Sequence, residues 1–362
     1  MKPRRVGFVI GNQLREIRIL SADRPGGGSL GLMRFQWIAD WVNAQPGLGL
    51  RYELFRPWRR YDALVFLKAM GGANQRLNDW FRKAGRPTVF DANVNYYHPE
   101  GTFYYDTMRP SEEQTREAIA MTRAASAVIA DSEYVGEQAR AYHADVRWIP
   151  DNVNFVFVPP LVPRPLPRGP LPLWWSGQSL KLFDLLSISD VLREYARHIE
   201  LRLVTNDLAA LSRWFPPHRE HFERLLRDVP HRIMAFESIP ALLAHYAEGG
   251  LAISPRFLDN TYNLGHTEWK ITLPMACGLP AWAAPVPSYE RVAERSGGRG
   301  IAICRTHDAW RAALDAVLAE GYDYAAESHA ACTVVRQHYA TPVVAAQHAA
   351  LLRGLVQAGG AS

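Results

Sequence analysis

No part of this chain leaves the backbone fewer options than residues 254–287, SPRFLDNTYNLGHTEWKITLPMACGLPAWAAPVP. An apolar run over 249–254 stops at Pro255, and a turn-rich loop follows with Asp259, Asn260, Asn263 and Gly265. Thr267 and Glu268 then have the chemistry of a helix start. A threonine hydroxyl accepts from an orphan backbone N–H, and an early glutamate suits the positive end of the helix dipole. Gly278 is placed to end that helix in the left-handed conformation, and Leu279-Pro280 leads into a short apolar strand over 281–284. Strand, loop, helix, glycine turn and strand make half of a parallel α/β unit. Its loop and helix start fall at the carboxyl end of the strand, where free N–H groups point outward and anions bind.

Within this stretch, Lys270 followed by Met275-Ala276-Cys277-Gly278-Leu279-Pro280 resembles the donor-site helix of GT-B glycosyltransferases, of the retaining family-four (group 1) type. The resemblance implies an α/β, GT-B architecture: two Rossmann-like, doubly wound parallel-sheet domains facing an interdomain cleft. It also implies that Lys270, with Gly265, His266 and Thr267 beside it, meets the diphosphate of a UDP- or GDP-sugar. Those relatives keep a glutamate three residues after the lysine to hold the ribose, and many keep another acidic residue eight positions before that one. Leu273 and Gly265 stand at those places here, so both carboxylates are missing. Pro274 adds a residue with no N–H for the Lys270 carbonyl, which should bend the helix.

The 362 residues suffice for two domains, each with its own core. The expected division is an N-terminal acceptor domain over 1–154 and a linker over 155–172 that holds seven prolines and no strand or helix pattern. A nucleotide-sugar donor domain over 173–340 follows, and then a helix over 341–362 that, by the resemblance, crosses back to the first domain. The first strand covers 6–10, and a glycine-rich loop leads to an amphipathic helix over 32–43. The glycines do not match the dinucleotide fingerprint, so no nicotinamide cofactor is expected. The resemblance places Gly27, Gly28 and Arg34 at the sugar or acceptor. Strands over 61–67, 87–91 and 127–130 follow, and 146–153 resembles the segment that closes such domains, with Asn152 in place of its glycine.

Residues 93–105 are rich in Asn, Tyr and His, side chains that stack on sugars and bond their hydroxyls. Asp91 and His98 stand where relatives keep an acid or histidine beside the reacting sugar. In the second half, Gly177 and Lys181 match the loop that reaches the donor phosphates, and Phe236, Glu237 and Ser238 match the loop whose backbone reads the nucleobase. No Asp-x-Asp element occurs, so the expected chemistry is metal-independent transfer to a glycan, lipid-linked or small-molecule hydroxyl, as in polysaccharide biosynthesis. Two other classes stay open: a non-catalytic protein of this fold that binds a glycan or partner enzyme, and a protein that binds an anionic surface.

Charge bears on the last of these. Residues 1–90 hold sixteen Lys and Arg against six Asp and Glu, whereas the remainder is net acidic. Arg51, Arg56, Arg59, Arg60, Arg82, Lys83 and Arg86, with Trp58, Trp80 and Phe81 among them, form a candidate face for an anionic membrane and its lipid-linked acceptors. Nucleic acid is not an expected partner. Lysine usage is selective: of five lysines only Lys181 and Lys270 lie beyond residue 83, each where a diphosphate is expected. A compact ammonium suits that charge. No apolar run approaches the ~18 residues of a membrane span, and Arg4-Arg5 passes directly into the first strand. Cys277, Cys304 and Cys332 lack metal-type spacing. The expectation is a cytoplasmic protein, peripheral at the inner membrane face where its basic half meets lipid.

Overall fold

The computed structural model describes residues 2–11, 31–104, 108–162, 165–206, 208–213 and 216–359. Its first sheet is parallel, with strand order β2-β1-β3-β4-β5-β6. The strands are β1 (Arg4–Ile10), β2 (Leu50–Leu54), β3 (Ala63–Leu67), β4 (Thr88–Ala92), β5 (Ala127–Ala130) and β6 (Val146–Trp148). The short apolar runs of β3 and β5 are buried at every position, as a parallel sheet covered on both faces requires. The covering helices are α1 (Trp37–Asn43), α2 (Gly72–Lys83), α3 (Glu112–Ala124) and α4 (Glu133–Arg140). Local chemistry sets their starts. Ser111 and Gln114 form a reciprocal capping box at α3, and the Ser132 hydroxyl accepts from Val135 N–H at α4. The helix expected over 32–43 is not uniform: Leu32–Gln36 forms a π-helical turn before α1.

The second sheet has the order β12-β11-β10-β7-β8-β9, also parallel. Its strands are β7 (Leu171–Gly177), β8 (Ile199–Thr205), β9 (His231–Ala235), β10 (Leu251–Ser254), β11 (Ala281–Ala283) and β12 (Ile301–Ile303). The helices are α5 (Ser189–Glu194), α6 (Pro216–Asp228), α7 (Ile239–Tyr246), α8 (Thr261–Leu264), α9 (Trp269–Ala276), α10 (Pro287–Ser296), α11 (His307–Leu318) and α12 (Tyr324–His338). Winding reverses between β7 and β10, and the crevice outside the carboxyl ends of those strands is where such sheets bind ligands. Since β7 starts at Leu171, the stretch without pattern ends before 172. Gly278 does take the left-handed conformation after α9 (φ 81°). The start of α9 differs from the expectation. Glu268, not Thr267, holds the cap position and makes no side-chain cap bond, while Asn260 caps the extra single turn α8.

The domains touch at several places. The last helix, α13 (Thr341–Gly359), lays Val344, Ala345, Ala349, Leu352 and Val356 into the apolar cluster of β1, β2 and β3. From the first domain, the segment 98–104 lies across the second. Gly101 bridges Asn260 at φ 98°, and a Cβ there would meet the Asp259 carbonyl oxygen at 1.9 Å. Next to it the Thr261 hydroxyl donates to the His98 carbonyl (2.7 Å) and accepts from Glu100 N–H (3.0 Å). The Tyr104 ring lies 4.5 Å from Phe183 and 4.8 Å from Phe257.

Candidate functional site

Three elements, β7, β10 and α9, bring basic side chains to the switch point of the second sheet. Gly177 ends β7 and leads to Lys181, Arg256 follows β10 and Pro255, and His266 and Lys270 flank the start of α9. The Lys270 ammonium lies 4.1 Å above the Trp175 ring. Its nitrogen is inaccessible to solvent and finds no hydrogen-bond partner in the protein, although the residue as a whole is only half-buried. A Cβ on residue 177 would come within 2.8 Å of that nitrogen, so glycine is what lets Lys270 lie along the strand end. Lys181 Nζ is 3.3 Å from His266 Nε2 and 5.3 Å from the Tyr262 ring centroid.

Crowded positive charge controls protonation here. Burial pushes the Lys270 ammonium well below the usual lysine range, and Arg256 pushes the same way, with Asp184 opposing. Burial, then Arg256, Lys181 and Lys270, also hold His266 well below the ordinary histidine range, so its ring is neutral. The unprotonated His266 Nε2 is then an acceptor for Lys181 Nζ. The buried Arg256 donates to Asp184 Oδ2 (2.9 Å) and Asn263 Oδ1 (3.3 Å), which makes Asp184 the one carboxylate paired within this set.

A second cluster lies where the domains meet. Arg34, buried in the middle of the π-helical turn, donates to both oxygens of Asp91 (3.1 and 3.0 Å) and to Asp151 Oδ1 (3.0 Å). Asp131, at the end of β5, and Glu268, from the second domain, complete it. Glu268 is 0% exposed and neither of its carboxylate oxygens has a protein partner, and Asp131 Oδ1 has none either. Burial, then Asp151, raises both carboxyls well above the ordinary range, so they hold protons. Burial opposes the Arg34 charge too, but Asp91 and Asp151 outweigh it and raise its pKa.

The expected site residues divide between these places. Lys181, Lys270, Gly177 and His266 come together, whereas Gly265 and Thr267 lie on the loop just before α9. Gly265 is buried against the first domain: a Cβ would meet Asn95 at 3.2 Å and Val135 at 3.3 Å, and its carbonyl accepts from the Ser132 hydroxyl. Phe236 continues from β9, Glu237 is exposed, and Ser238 caps α7. Asp91 lies one residue before the end of β4, and its carboxylate is sealed against Arg34. His98 is exposed, with its ring stacked on Tyr142. Gly27 and Gly28 lie outside the described residues. Leu273 is 2% exposed in an apolar cluster with Ile271, Met275 and Leu242, so a glutamate there would be drawn into hydrocarbon.

Arg256, Asp184 and Asp131 do not stand out in the sequence, and Glu268 stands out there only as part of a helix start. Arg256 carried a usable signal, since it directly follows the Pro255 that ends a strand at the ligand-binding edge. Asp184 carried another, as an acid inside an otherwise apolar run over 182–186. Among the described residues, no group of three His, Cys, Asp or Glu is placed to hold a metal ion.

No family model matches this chain, and no curated protein does. Solved structures do. Sucrose-phosphate synthase from Thermosynechococcus elongatus is 13% identical, with 98% of this chain and 100% of that one covered and a TM-score of 0.70. HepE of Anabaena, in complex with UDP-glucose, is 15% identical over 97% of this chain and 99% of its own, with a TM-score of 0.65. A glycosyltransferase from Rickettsia africae is 12% identical, covering 98% and 99%, with a TM-score of 0.60. At such identities the likeness is one of fold: the chain has the two-domain GT-B fold.

Proposed function

We propose that this protein is a nucleotide-sugar glycosyltransferase whose second domain holds the donor diphosphate against Lys181, Lys270 and the start of α9. The observation that carries the proposal is the unpartnered Lys270 ammonium, shielded from water beside Gly177 within a cluster of four cationic or basic side chains. Such a group sheds its proton unless an anion arrives, and a diphosphate is the anion this fold's switch point accepts. HepE, of like fold, binds UDP-glucose. Departure of the nucleoside diphosphate builds charge on its β-phosphate, and preorganised positive groups aimed there lower the barrier. The loop at Phe236, Glu237 and Ser238 takes the nucleobase, and the first domain takes the sugar or glycan acceptor.

Retention of the donor anomer is the favoured stereochemistry. Inversion requires a base beside the acceptor hydroxyl. Asp91 is engaged by Arg34, and the His98 ring stacks on Tyr142 at an exposed edge, which supports the retaining alternative. A thermal-shift screen of nucleoside diphosphates tests the proposal. A ligand at a hundred times its Kd stabilises the folded chain by about 2.7 kcal/mol, and a UDP- or GDP-sugar should then be turned over. No shift with any nucleoside diphosphate sinks it.

A second reading has its own support. Leu273 is sunk in apolar surroundings and Gly265 is packed against Asn95 and Val135, so neither position leaves room for the carboxylates of relatives. A non-catalytic protein that binds a nucleotide or glycan would show the thermal shift without transfer or hydrolysis across a donor panel.

A further inference from the structure

Two exposed tryptophans lie on the helix α2 side of the first sheet. Trp58 is 78% exposed, at the tip of the loop Arg56-Pro57-Trp58-Arg59-Arg60, every residue of which is exposed. Trp80 is 57% exposed near the end of α2. Phe81, its neighbour, is buried with Tyr61, so that pair anchors both segments in one apolar cluster while the tryptophans stay outside. Arg86 joins the two segments. Its guanidinium lies 5.4 Å from the Trp80 ring and 5.3 Å from Phe81, and it donates to the Tyr61 carbonyl (3.4 Å). Two of the nearby acids are already matched, Glu53 by Arg59 and Asp62 by Arg4, which leaves the exposed Asp79 beside Trp80 against the cations of this region. Arg56, Arg60 and Lys83 are exposed on this face, and no helix among the described residues is long and apolar enough to cross a membrane.

We propose that this face docks on an anionic lipid bilayer, with Trp58 and Trp80 seated at the headgroup layer and Arg56, Arg60 and Lys83 against the lipid phosphates. An exposed tryptophan gains from the interface because its ring is apolar and its indole N–H remains wet. Basic side chains add attraction to an anionic leaflet that falls off within a Debye length, so the docking is salt-sensitive and reversible. Charge complementarity selects the occupant. A protein partner would need a matching acidic surface, whereas a bilayer needs only the aromatic tips and unneutralised cations found here. The inference concerns where the chain sits and stands apart from the transfer reaction, since a chain inactive with every donor would still bind.

Co-sedimentation of the full chain with vesicles of phosphatidylglycerol and phosphatidylcholine tests it, with pure phosphatidylcholine vesicles and a duplex oligonucleotide as comparisons. The expected result is recovery with the anionic vesicles at low salt, release at high salt, and little recovery with the neutral vesicles. Arg56→Glu and Arg60→Glu should each weaken binding, roughly fivefold per charge neutralised. Trp58→Ala with Trp80→Ala should weaken it further without changing the melting temperature, because both rings are outside the core. Indole fluorescence should shift to the blue on vesicle addition, and only while those two residues are present. Equal recovery with neutral and anionic vesicles overturns the proposal. So does unchanged vesicle binding in the double tryptophan variant, or tighter retention on the oligonucleotide than on the vesicles.

Discussion

The two charge clusters, one at the domain boundary and one at the switch point of the second sheet, are built from opposite signs and stand in different relations to the fold. The acidic one gathers Asp91, Asp131, Asp151 and Glu268 around the single guanidinium of Arg34, drawing its members from both domains. Its excess charge is relieved by keeping protons on Glu268 and Asp131. The basic one, in the second domain, gathers Lys181, His266, Lys270 and Arg256 with Asp184 as the paired acid. Its excess is relieved by losing protons. The difference lies in access: Arg34, Asp91 and Glu268 are fully buried, whereas Lys181, His266 and Lys270 keep part of their surface exposed, although the Lys270 nitrogen and Arg256 are covered. A sealed cluster can act only on the fold. An open one can be completed by a ligand.

The largest expected effect separates the two directly. Arg34→Met leaves Asp91 and Asp151 without their cation in a dry site and should lower unfolding free energy by about 3–5 kcal/mol. Lys270→Met, by contrast, should leave stability unchanged or slightly raised, since it removes a buried amine nitrogen that has no hydrogen-bond partner. Urea unfolding of both variants decides the matter, and a wild-type midpoint for Arg34→Met would show that the acidic cluster does not hold the domains. Next in size is catalysis. Lys270→Ala and Lys181→Ala should each slow transfer ~10²–10³-fold at saturating donor with an unaltered melting temperature. Near-normal turnover in either would remove that lysine from the site.

A smaller effect lies in pH. Glu268 and Asp131 have folded-state pKa values raised above those of the unfolded chain. The folded state therefore binds more protons wherever pH lies between the two. The stability this contributes is present below the ordinary carboxylate range and is lost as pH rises through the raised values, by about 1.4 kcal/mol per pH unit per group. Glu268→Gln should flatten that slope, as followed by chemical unfolding at a series of pH values. An unchanged slope would place the titration elsewhere. The smallest effect concerns the basic cluster: diphosphate binding should take up protons, because an anion restores the charge on Lys270. Affinity should then weaken as pH rises. Calorimetry in buffers of different ionisation enthalpy would show the uptake, and Lys270→Ala should abolish it.

Much of the scaffold was legible in the sequence for local reasons. Apolar runs such as 61–67 and 127–130 identify buried strands, Ser111 with Glu112 and Glu113 and then Ser132 announce their helices, and Gly278 marks a turn that only left-handed backbone makes. Strand β2 and helices α5, α6, α10 and α12 were not read, because their polar faces dilute the pattern. The lysines of the candidate site were legible because so few lysines occur beyond residue 83. Of the aromatic face, Trp58, Trp80 and Phe81 look alike in sequence, yet Phe81 is core and the tryptophans are not.

By itself, then, the sequence determined most of the buried strands, the caps at Ser111 and Ser132, the turn at Gly278 and the helix that carries Lys270. Each of these depends on neighbours within a few residues. Only the tertiary structure decided that Asp91 is spent on Arg34, that Leu273 is buried, and that Glu268 meets Asp131 and Asp151 across the domain boundary. Those outcomes join residues more than a hundred positions apart or turn on which face of a helix is covered. The cost of burying a charge is settled by what surrounds it, and that is a property of the packed chain.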